Sequence, residues 1–457
     1  MSIYHTSSLT TIILAAGSGT RMKSSLPKVL HPVAGKPMLR HVIDAATQIL
    51  SDNTIVVVNA AMQPYYDAIE TKKSSFHFVV QPKQLGTADA VKIALSRVTD
   101  KNTRILILYG DTPLITPKTL KKLMQVGGDI SVLGFHAADP TGYGRLITNR
   151  HECITSIVEE KDATASEKKI DLCHSGILTA PAELLQTLLQ DVTNQNAAGE
   201  YYLTDIIALA VAKKLTCRYM TCGQEELIGV NDRHQLLLAN QLFQLRKAYD
   251  VIEQGATLIA PETVFFSHDT SVGTDVTIHP YVTFGPGVSI GNNTVIHSFS
   301  HIEGADIGNH CSIGPFARLR PGTELESDVK IGNFVEVKQA HIGKSSKVNH
   351  LSYIGDAILK ERVNIGAGTI TCNYDGFKKS QTFIEADVFV GSNTALVAPV
   401  AIGEGAIIGA GSTIVEDVPA DAMALARSKQ QSIASGAVLF KEKQAKALLK
   451  EKKDTSS

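Results

Sequence analysis

The chain has 457 residues, with 44 Lys and Arg against 45 Asp and Glu, and it is 44% hydrophobic. This length allows two or three domains. The near-zero charge, without a basic block before Lys441, argues against a nucleic-acid partner, and no apolar run approaches the length of a membrane span. Six scattered cysteines without a CxxC pair, and no signal-peptide pattern, predict reduced thiols and a cytoplasmic location.

The first half of the chain alternates short apolar strands with helical segments. Strands are predicted over 10–16, 54–59, 76–80 and 104–109, and helices over 38–50, 65–71 and 88–96. This order predicts a doubly wound, Rossmann-like α/β domain with a parallel sheet. A further helix, with Asp232 as its N-cap, is predicted to link this domain to the second half. The predicted domains are 1–231, the linker helix 232–255, and 256–457.

A Gly-rich turn, Gly17-Ser18-Gly19, follows the first strand directly. Such a turn lets backbone N–H groups approach phosphate oxygens. It fits neither GxGxxG nor GxxxxGK[ST], but Arg21 and Lys28 add two cations that suit a triphosphate. Asp111 follows the strand 104–109, at the edge where α/β sheets place ligand groups. Its carboxylate either binds Mg²⁺ or caps a turn, and the residues alone leave both interpretations open.

The second half repeats aliphatic residues every six positions, beginning with Val272, Ile278, Phe284, Ile290, Ile296 and Ile302. This period is typical of a hexapeptide-repeat β-helix, in which three short sides make one coil around an aliphatic interior. The alternative is a β-sandwich with coincidental spacing, which the length of the repeat disfavours. Glycine or another small polar residue is predicted to take the corners, where φ is often positive, and glycines often directly follow an aliphatic residue. Five of them are Gly291, Gly314, Gly332, Gly366 and Gly403.

Polar residues cluster near the one break in the repeat, over 372–383. Arg320 and Lys338 are eighteen residues apart, so they are predicted to stack on neighbouring coils with no acid between them. Two stacked cations suit a sugar phosphate, and solvated surface charge is the alternative. His350 is the candidate base, because a neutral imidazole can take a proton from an amine near pH 7. A lone histidine is more often structural.

Motifs in the first half resemble those of sugar nucleotidyltransferases. In chain order they are Leu14-Ala15-Ala16-Gly17-Ser18-Gly19-Thr20-Arg21-Met22 with Pro27-Lys28, Gln84-Leu85-Gly86-Thr87-Ala88, Tyr109-Gly110-Asp111-Thr112-Pro113, Gly142-Tyr143-Gly144-Arg145, Glu159-Glu160-Lys161-Asp162, Gly199-Glu200-Tyr201-Tyr202-Leu203-Thr204-Asp205 and Gly229-Val230-Asn231. The β-helix behind them contains Asn349-His350-Leu351-Ser352-Tyr353. Together, residues 9–427 resemble the bacterial family of bifunctional N-acetylglucosamine-1-phosphate uridylyltransferases and glucosamine-1-phosphate N-acetyltransferases. The resemblance implies a left-handed β-helix, a homotrimer and synthesis of UDP-N-acetylglucosamine for peptidoglycan and lipopolysaccharide.

For uridylyl transfer, the resemblance implies that the sugar phosphate attacks the α-phosphate of UTP. It makes Asp111 and Asn231 the ligands of Mg²⁺, and it makes Arg21 and Lys28 catalytic contacts of the phosphates. The residues implied to bind UTP or the UDP-sugar are Leu14, Ala15, Ala16, Gly17, Lys28, Gln81, Gly86, Thr87, Tyr109, Gly110, Asp111, Gly144, Glu159, His174 and Asn231.

For acetyl transfer, the resemblance implies that His350 deprotonates the amine of glucosamine-1-phosphate, which then attacks acetyl-CoA. The implied contacts of the sugar phosphate are Arg320, Lys338, Tyr353 and Asn364, with Glu336 orienting the site. The loop within 372–383 is implied to reach an adjacent subunit. The implied contacts of acetyl-CoA are Ala367, Asn373, Tyr374, Ser392, Ala410 and Arg427.

One motif departs from the family, which usually has Asn-Thr-Gly where this chain has His174-Ser175-Gly176. The change alters the reach of a predicted sugar contact and introduces a titratable ring. Two rival functions are a single-activity sugar-1-phosphate nucleotidyltransferase with a structural β-helix, and a metal enzyme of the carbonic anhydrase type. The second would use His297, His301 and His310, which we interpret instead as surface corner residues.

Overall fold

The computed structural model describes residues 8–69 and 76–454. They form two compact units that divide between Ile290 and Gly291. The end of the predicted helix 65–71 lies outside the described residues, as do the outer ends of the predicted domains 1–231 and 256–457.

The first unit contains the predicted α/β domain. Its strands are β1 Leu9–Ala15, β2 Pro32–Val33, β3 Lys36–Pro37, β4 Asn53–Val58, β5 Phe76–Val80, β6 Arg104–Tyr109, β7 Ile130–His136, β8 Arg145–Thr148, β9 Ile154–Val158, β10 Leu172–Pro181 and β11 Cys217–Thr221. Its helices are α1 Met38–Gln48, α2 Tyr66–Ile69, α3 Thr87–Leu95, α4 Pro117–Leu123, α5 Ala182–Gln190, α6 Asp205–Ala212 and α7 Arg233–Glu253.

The central sheet is mixed, with the strand order β11-β7-β10-β6-β1-β4-β5. The pairs β1–β4, β1–β6, β4–β5 and β7–β11 are parallel, as predicted. Strand β10 runs antiparallel to both β6 and β7, so the sheet predicted as parallel is mixed. The β8–β9 hairpin lies between β7 and β10 in the chain, and no crossover helix stands there to impose parallel pairing.

Neighbouring residues of the central strands point to opposite faces of the sheet. Ile12 and Ile107 belong to a core shared with α3, α5 and α6, whereas Ile13 and Leu108 belong to a core shared with α1 and α4. Helices therefore cover both faces, which explains why these strands are apolar along their whole length. The carboxyl ends of the strands remain for ligands.

Helix α7 begins as predicted, because the Asp232 side chain accepts a hydrogen bond from the Gln235 N–H at 2.9 Å. It packs on the α/β domain, where Arg246 Nη1 donates to Leu114 O at 2.8 Å. Its Gln244 Nε2 donates to Phe266 O at 2.8 Å. The first unit ends in short strands of the repeat, in which β12 pairs with β14 and β13 with β16, all in parallel. These strands are β12 Thr257–Leu258, β13 Ser271–Val272, β14 Thr277–Ile278, β15 Thr283–Phe284 and β16 Val288–Ile290.

The second unit is built of parallel coils, and the repeat fold is a left-handed parallel β-helix. Most partners lie 17 or 18 positions apart, as in Val295↔Ser312 and Ser312↔Lys330, and the inward aliphatic residues are buried. No described helix is long and apolar enough to cross a membrane. The elements are β17 Val295–Ile296, β18 His301–Ile302, β19 Ala305–Ile307, β20 Ser312–Ile313, β21 Arg318–Leu319, β22 Thr323–Leu325, β23 Lys330–Asn333, β24 Glu336–Ile342, β25 Lys347–His350, β26 Tyr353–Leu359, β27 Asn364–Ile365, β28 Ile370–Cys372, β29 Thr382–Ile384, β30 Phe389–Val390, β31 Ala395–Val397, β32 Val400–Ile402, β33 Ile407–Ile408, β34 Thr413–Ile414, β35 Met423–Ala424 and α8 Gly436–Asp454.

The glycines of the repeat serve a different purpose from the one predicted. Of the five named above, Gly314 alone has a positive φ, and the left-handed corners are held mostly by other residues such as Asn293 and Phe334. A Cβ on Gly332 would lie 1.9 Å from Asn349 O in the next coil. Glycine is therefore required here because adjacent coils approach closely.

We predict that Gly308→Ala lowers the free energy of unfolding by about 1–3 kcal/mol, because overpacking forces backbone shifts. Its added Cβ would lie 2.7 Å from the backbone C of Glu326. The measurement is the denaturant midpoint followed by circular dichroism. Gly411→Asn is the control, because that position has open space and a φ of +72° that Asn tolerates. An unchanged midpoint for Gly308→Ala would contradict the close-approach explanation.

Candidate active sites

A cleft of about 310 Å³ opens at the carboxyl ends of β1 and β6. It collects most of the residues predicted to bind UTP. Its lining consists of Leu14, Ala15, Ala16, Gly17, Ser18, Lys28, Val29, Gln81, Gln84, Gly86, Thr87, Ala90, Tyr109, Asp111 and Glu200. The cleft therefore has a backbone-rich wall, a cation and a carboxylate, which together suit a nucleotide phosphate chain.

The Gly-rich turn forms one wall of this cleft. Gly19 has a φ of +64°, and a Cβ at this position would lie 2.6 Å from Lys28 Cβ. Glycine thus allows Lys28 to pack directly against the turn. Arg21 is exposed within the 3₁₀ helix Thr20–Met22 and does not line the cleft.

Lys28, Asp111 and Asn231 meet at the cleft although 203 positions separate the first from the last. Lys28 Nζ lies 2.5 Å from Asp111 Oδ2 and 3.0 Å from Asn231 Oδ1. The Val230 N–H donates to Asp111 O at 2.9 Å, which holds the two segments together. A cation already lies between these oxygens, and the same oxygens fit a divalent metal that completes its shell with phosphate and water. Among the described residues, no three His, Cys, Asp or Glu side chains form a full metal cage.

Gln81 and Gly86 form the opposite side of the cleft. Gln81 is 4% exposed, and its Nε2 donates to Asp89 Oδ2 at 2.8 Å. Gly86 has a φ of +124°, and a Cβ at this position would lie 2.5 Å from Tyr201 O. Both the backbone conformation and the close approach therefore favour glycine here. The sequence analysis missed Gln84, which donates to Ala16 O at 2.6 Å, and Glu200. Both lie within the quoted motifs, which was the only signal for them.

Gly144, Glu159 and His174 form a second group. The His174 N–H donates to Gly144 O at 2.8 Å, and a Cβ on Gly144 would lie 3.3 Å from Glu159 Oε2. Burial raises the pKa of Glu159, whose carboxylate accepts a hydrogen bond from Thr204 Oγ1 at 3.2 Å. Burial also raises the pKa of Tyr109 in the cleft, and the charge of the Glu159 carboxylate raises it further. Burial lowers the pKa of His174 to about 4, so its ring is neutral at pH 7, and its Nδ1 has no hydrogen-bond partner.

Arg145 directly follows Gly144 of this second group, and its structural role was not predicted. It is 1% exposed, and its Nη2 donates to Glu160 Oε2 at 2.7 Å and to Lys168 O at 3.2 Å. Gly110 was predicted to bind the nucleotide, but it does not line the cleft. Its N–H donates to Leu14 O at 2.9 Å.

Arg320 and Lys338 lie on adjacent coils, since the Arg320 N–H donates to Val337 O at 2.9 Å. The prediction that no acid lies between the cations is wrong, because Arg320 Nη1 donates to Glu336 Oε1 at 2.7 Å. Glu336 is two positions before Lys338 and therefore shares its face of the strand. Lys379, from the loop between β28 and β29, lies close to Lys338 and lowers the pKa of that ammonium. The sequence analysis missed Lys379 because it lies outside the repeat.

The same loop carries Asn373, which joins two residues of β26. Its Nδ2 donates to the hydroxyl of Tyr353 at 3.4 Å and also to the carboxylate of Asp356. Tyr374 is 60% exposed and donates to the backbone two residues later. Asn364 lies on β27, in register with Lys347.

His350 ends β25, and its Nδ1 lies 2.8 Å from Asn333 Oδ1 on β23. The two residues are register partners on adjacent coils. The backbone is also held, because His350 O accepts from Ser352 Oγ at 2.8 Å. The ring is thus oriented and exposed, and Asn333 is a neighbour that the sequence analysis missed.

Ala367, Ser392, Ala410 and Arg427 lie on successive coils. The N–H that follows Ser392 donates to Ala367 O at 2.7 Å, and the N–H that follows Ala410 donates to Ser392 O at 2.8 Å. Arg427 Nη1 donates to Ala410 O at 2.7 Å. Four of the six predicted acetyl-CoA contacts therefore form one strip, in which three small residues lead to a guanidinium.

Comparisons with known proteins agree with both halves. Residues 11–169 match the MobA-like NTP transferase domain, and 269–304, 304–339 and 381–416 match the bacterial transferase hexapeptide (six repeats). Proteins named bifunctional protein GlmU are similar over nearly the whole chain. That of Zymomonas mobilis is 48% identical over 95% of this chain and 98% of its own length, and that of Bradyrhizobium diazoefficiens is 49% identical over 97% and 98%. The protein of Paramagnetospirillum magneticum is 46% identical over 96% and 98%. The chain belongs to the family of bifunctional GlmU proteins.

Proposed function

We propose residues for the two reactions of this bifunctional enzyme. The chain acetylates glucosamine-1-phosphate with acetyl-CoA and then transfers UMP from UTP to N-acetylglucosamine-1-phosphate, with release of pyrophosphate. The product, UDP-N-acetylglucosamine, is a precursor of peptidoglycan and lipopolysaccharide. The N-terminal α/β domain performs uridylyl transfer and the β-helix performs acetyl transfer.

One observation supports the proposed uridylyl-transfer site, namely the contact of Lys28 Nζ with both Asp111 and Asn231. In the reaction, a phosphate oxygen of the sugar attacks the α-phosphorus of UTP as the bond to pyrophosphate breaks. Lys28 then turns to the α-phosphate, where negative charge develops, and the backbone of the Gly-rich turn donates to the other phosphates. Arg21 needs only a rotation of its exposed side chain to join them.

The remaining uridylyl contacts divide by position. Gln81, Gly86 and Thr87 face the uracil and ribose, and the group Gly144, Glu159 and His174 faces the N-acetyl sugar. The oxygens of Asp111 and Asn231 would hold Mg²⁺, which would neutralise phosphate charge.

In acetyl transfer, His350 Nε2 takes a proton from the amine of glucosamine-1-phosphate as the nitrogen attacks the thioester carbonyl. The C–N bond forms, the C–S bond breaks, and the coenzyme A thiolate takes up the proton from the imidazolium. Arg320, Lys338 and Lys379 hold the sugar phosphate, and Tyr353, Asn364 and Asn373 hold the sugar. The strip that ends at Arg427 holds coenzyme A.

The functional state is a homotrimer in the cytoplasm. Phe299, Phe316 and Phe334 stack on successive corners with ring centroids 4.9 and 5.2 Å apart, and each ring is about half exposed. Exposed apolar stripes of this kind mark interfaces. Phe334 directly follows the Asn333 that contacts His350, so a neighbouring subunit on this stripe would lie beside the acetyl site. Sedimentation equilibrium measures the assembly directly.

We predict that Asp111→Ala lowers kcat/KM for uridylyl transfer by roughly 10²–10³-fold, because the metal and Lys28 lose their charged partner. Pyrophosphate release with UTP and N-acetylglucosamine-1-phosphate measures the effect. Thiol release from acetyl-CoA by the same protein is the control and stays within about twofold of the wild type. Undiminished Mg²⁺-dependent pyrophosphate release would count against the assignment.

We predict the converse for His350→Ala. Acetyl transfer falls by about 10²–10⁴-fold, the usual contribution of a general base, while uridylyl transfer is unchanged. Thiol and pyrophosphate are followed separately in one preparation. Loss of both activities in a folded protein would contradict the separation of the two sites, and full acetyl transfer would remove His350 from the mechanism.

We predict that Lys379→Ala raises KM for glucosamine-1-phosphate about 10-fold, the value of one hydrogen bond to a charged group. The KM for acetyl-CoA stays the same. The matched control is Lys378→Ala, which removes the neighbouring exposed lysine of the same loop. Equal effects of the two substitutions would show that Lys379 acts only through the general charge of the loop.

A further inference from the structure

The hydrogen bond between Asn333 and His350 decides which ring nitrogen of the histidine can act. An imidazole that donates from Nδ1 keeps its lone pair on Nε2, whereas one that accepts at Nδ1 carries its proton on Nε2. The amide oxygen of Asn333 lies 2.8 Å from Nδ1, and this oxygen can only accept. In this arrangement Nδ1 bears the proton and Nε2 is the free base.

We propose that Asn333 is the positioning residue of the acetyl-transfer reaction, which holds His350 in the tautomer that presents an unprotonated Nε2 to the substrate amine. This inference rests on the role of His350 proposed above. Asn333 precedes His350 by one coil, and their backbones are in register, so the contact is built into the stacking of β23 on β25. Within the part of the chain that the structure describes, this is the one hydrogen bond to the His350 ring.

The chemistry explains why an amide suits this position better than a carboxylate. A carboxylate beside Nδ1 would favour the imidazolium, which has no lone pair with which to accept a proton. Glu336 on β24, the acid predicted to orient the site, is engaged by Arg320 at 2.7 Å and by Arg318 at 3.9 Å. Asn333 thus orients the ring without adding negative charge.

The test compares Asn333→Ala and Asn333→Asp in the full-length protein. Asn333→Ala is expected to lower kcat for acetyl transfer about 10- to 100-fold, with KM for both substrates within about twofold, because base geometry is lost and binding is kept. Asn333→Asp is expected to move the acidic limb of the kcat–pH profile upward by about one unit. Uridylyl transfer by both variants remains at the wild-type rate.

The matched control is Asn309→Ala, which removes an asparagine whose Oδ1 also bridges coils, at 2.7 Å from the Asn292 N–H. It is expected to leave the acetyl-transfer profile unchanged. A wild-type kcat in Asn333→Ala, or a wild-type pH profile in Asn333→Asp, would overturn the inference. If His350→Ala itself retains acetyl transfer, the proposed function of His350 fails instead, so the two failures are distinguishable.

Discussion

The stacking of one coil directly on the next is the constraint on which the β-helix and its site depend. Each coil satisfies its backbone groups through the coil beside it, and the inward aliphatic residues fill the space between them. Such close approach leaves no room for a side chain at Gly332 or Gly366. It also converts a spacing of 16 to 18 positions into direct contact, and the contacts of Arg320 with Glu336 and of Asn333 with His350 follow from that geometry.

The α/β domain solves a different problem, since it must hold highly charged phosphates at the edge of an apolar sheet. The two cores on either side leave the carboxyl ends of the strands as the accessible edge. There the ammonium of Lys28 neutralises Asp111. A lysine suits this position because its charge is compact and its stem is flexible, so one residue can serve a carboxylate at one time and a phosphate at another.

The parts of the structure that repeat or follow a simple pattern could be predicted from the sequence. Inward burial leaves a six-residue period, and strands covered on both faces leave apolar runs such as 104–109. The antiparallel placement of β10 could not be read in this way, because its composition is the same in either direction. The motifs alone were enough to predict that Lys28, Asp111 and Asn231 belong to one site.

What could not be predicted depends on side-chain direction and on excursions from the repeat. Glu336 accepts a hydrogen bond from Arg320, and the buried Arg145 donates one to Glu160. In the sequence, Glu336 and Arg145 each look like an ordinary surface charge. Lys379 reaches Lys338 from a loop whose path no period describes. The neutral state of His174 likewise comes from its burial, which residue type alone does not reveal.

The loop between β28 and β29 leaves the coil at a corner and returns without disturbing the register. Partners across it are 25 positions apart, as in Ala357↔Thr382 and Asn364↔Phe389, and the following coil resumes with Phe389↔Ile407. The loop is therefore an excursion from the β-helix and is not part of its stacked coils. The stacking of the coils thus does not constrain the length of this loop, which can change in evolution or by design while the register of the scaffold is kept.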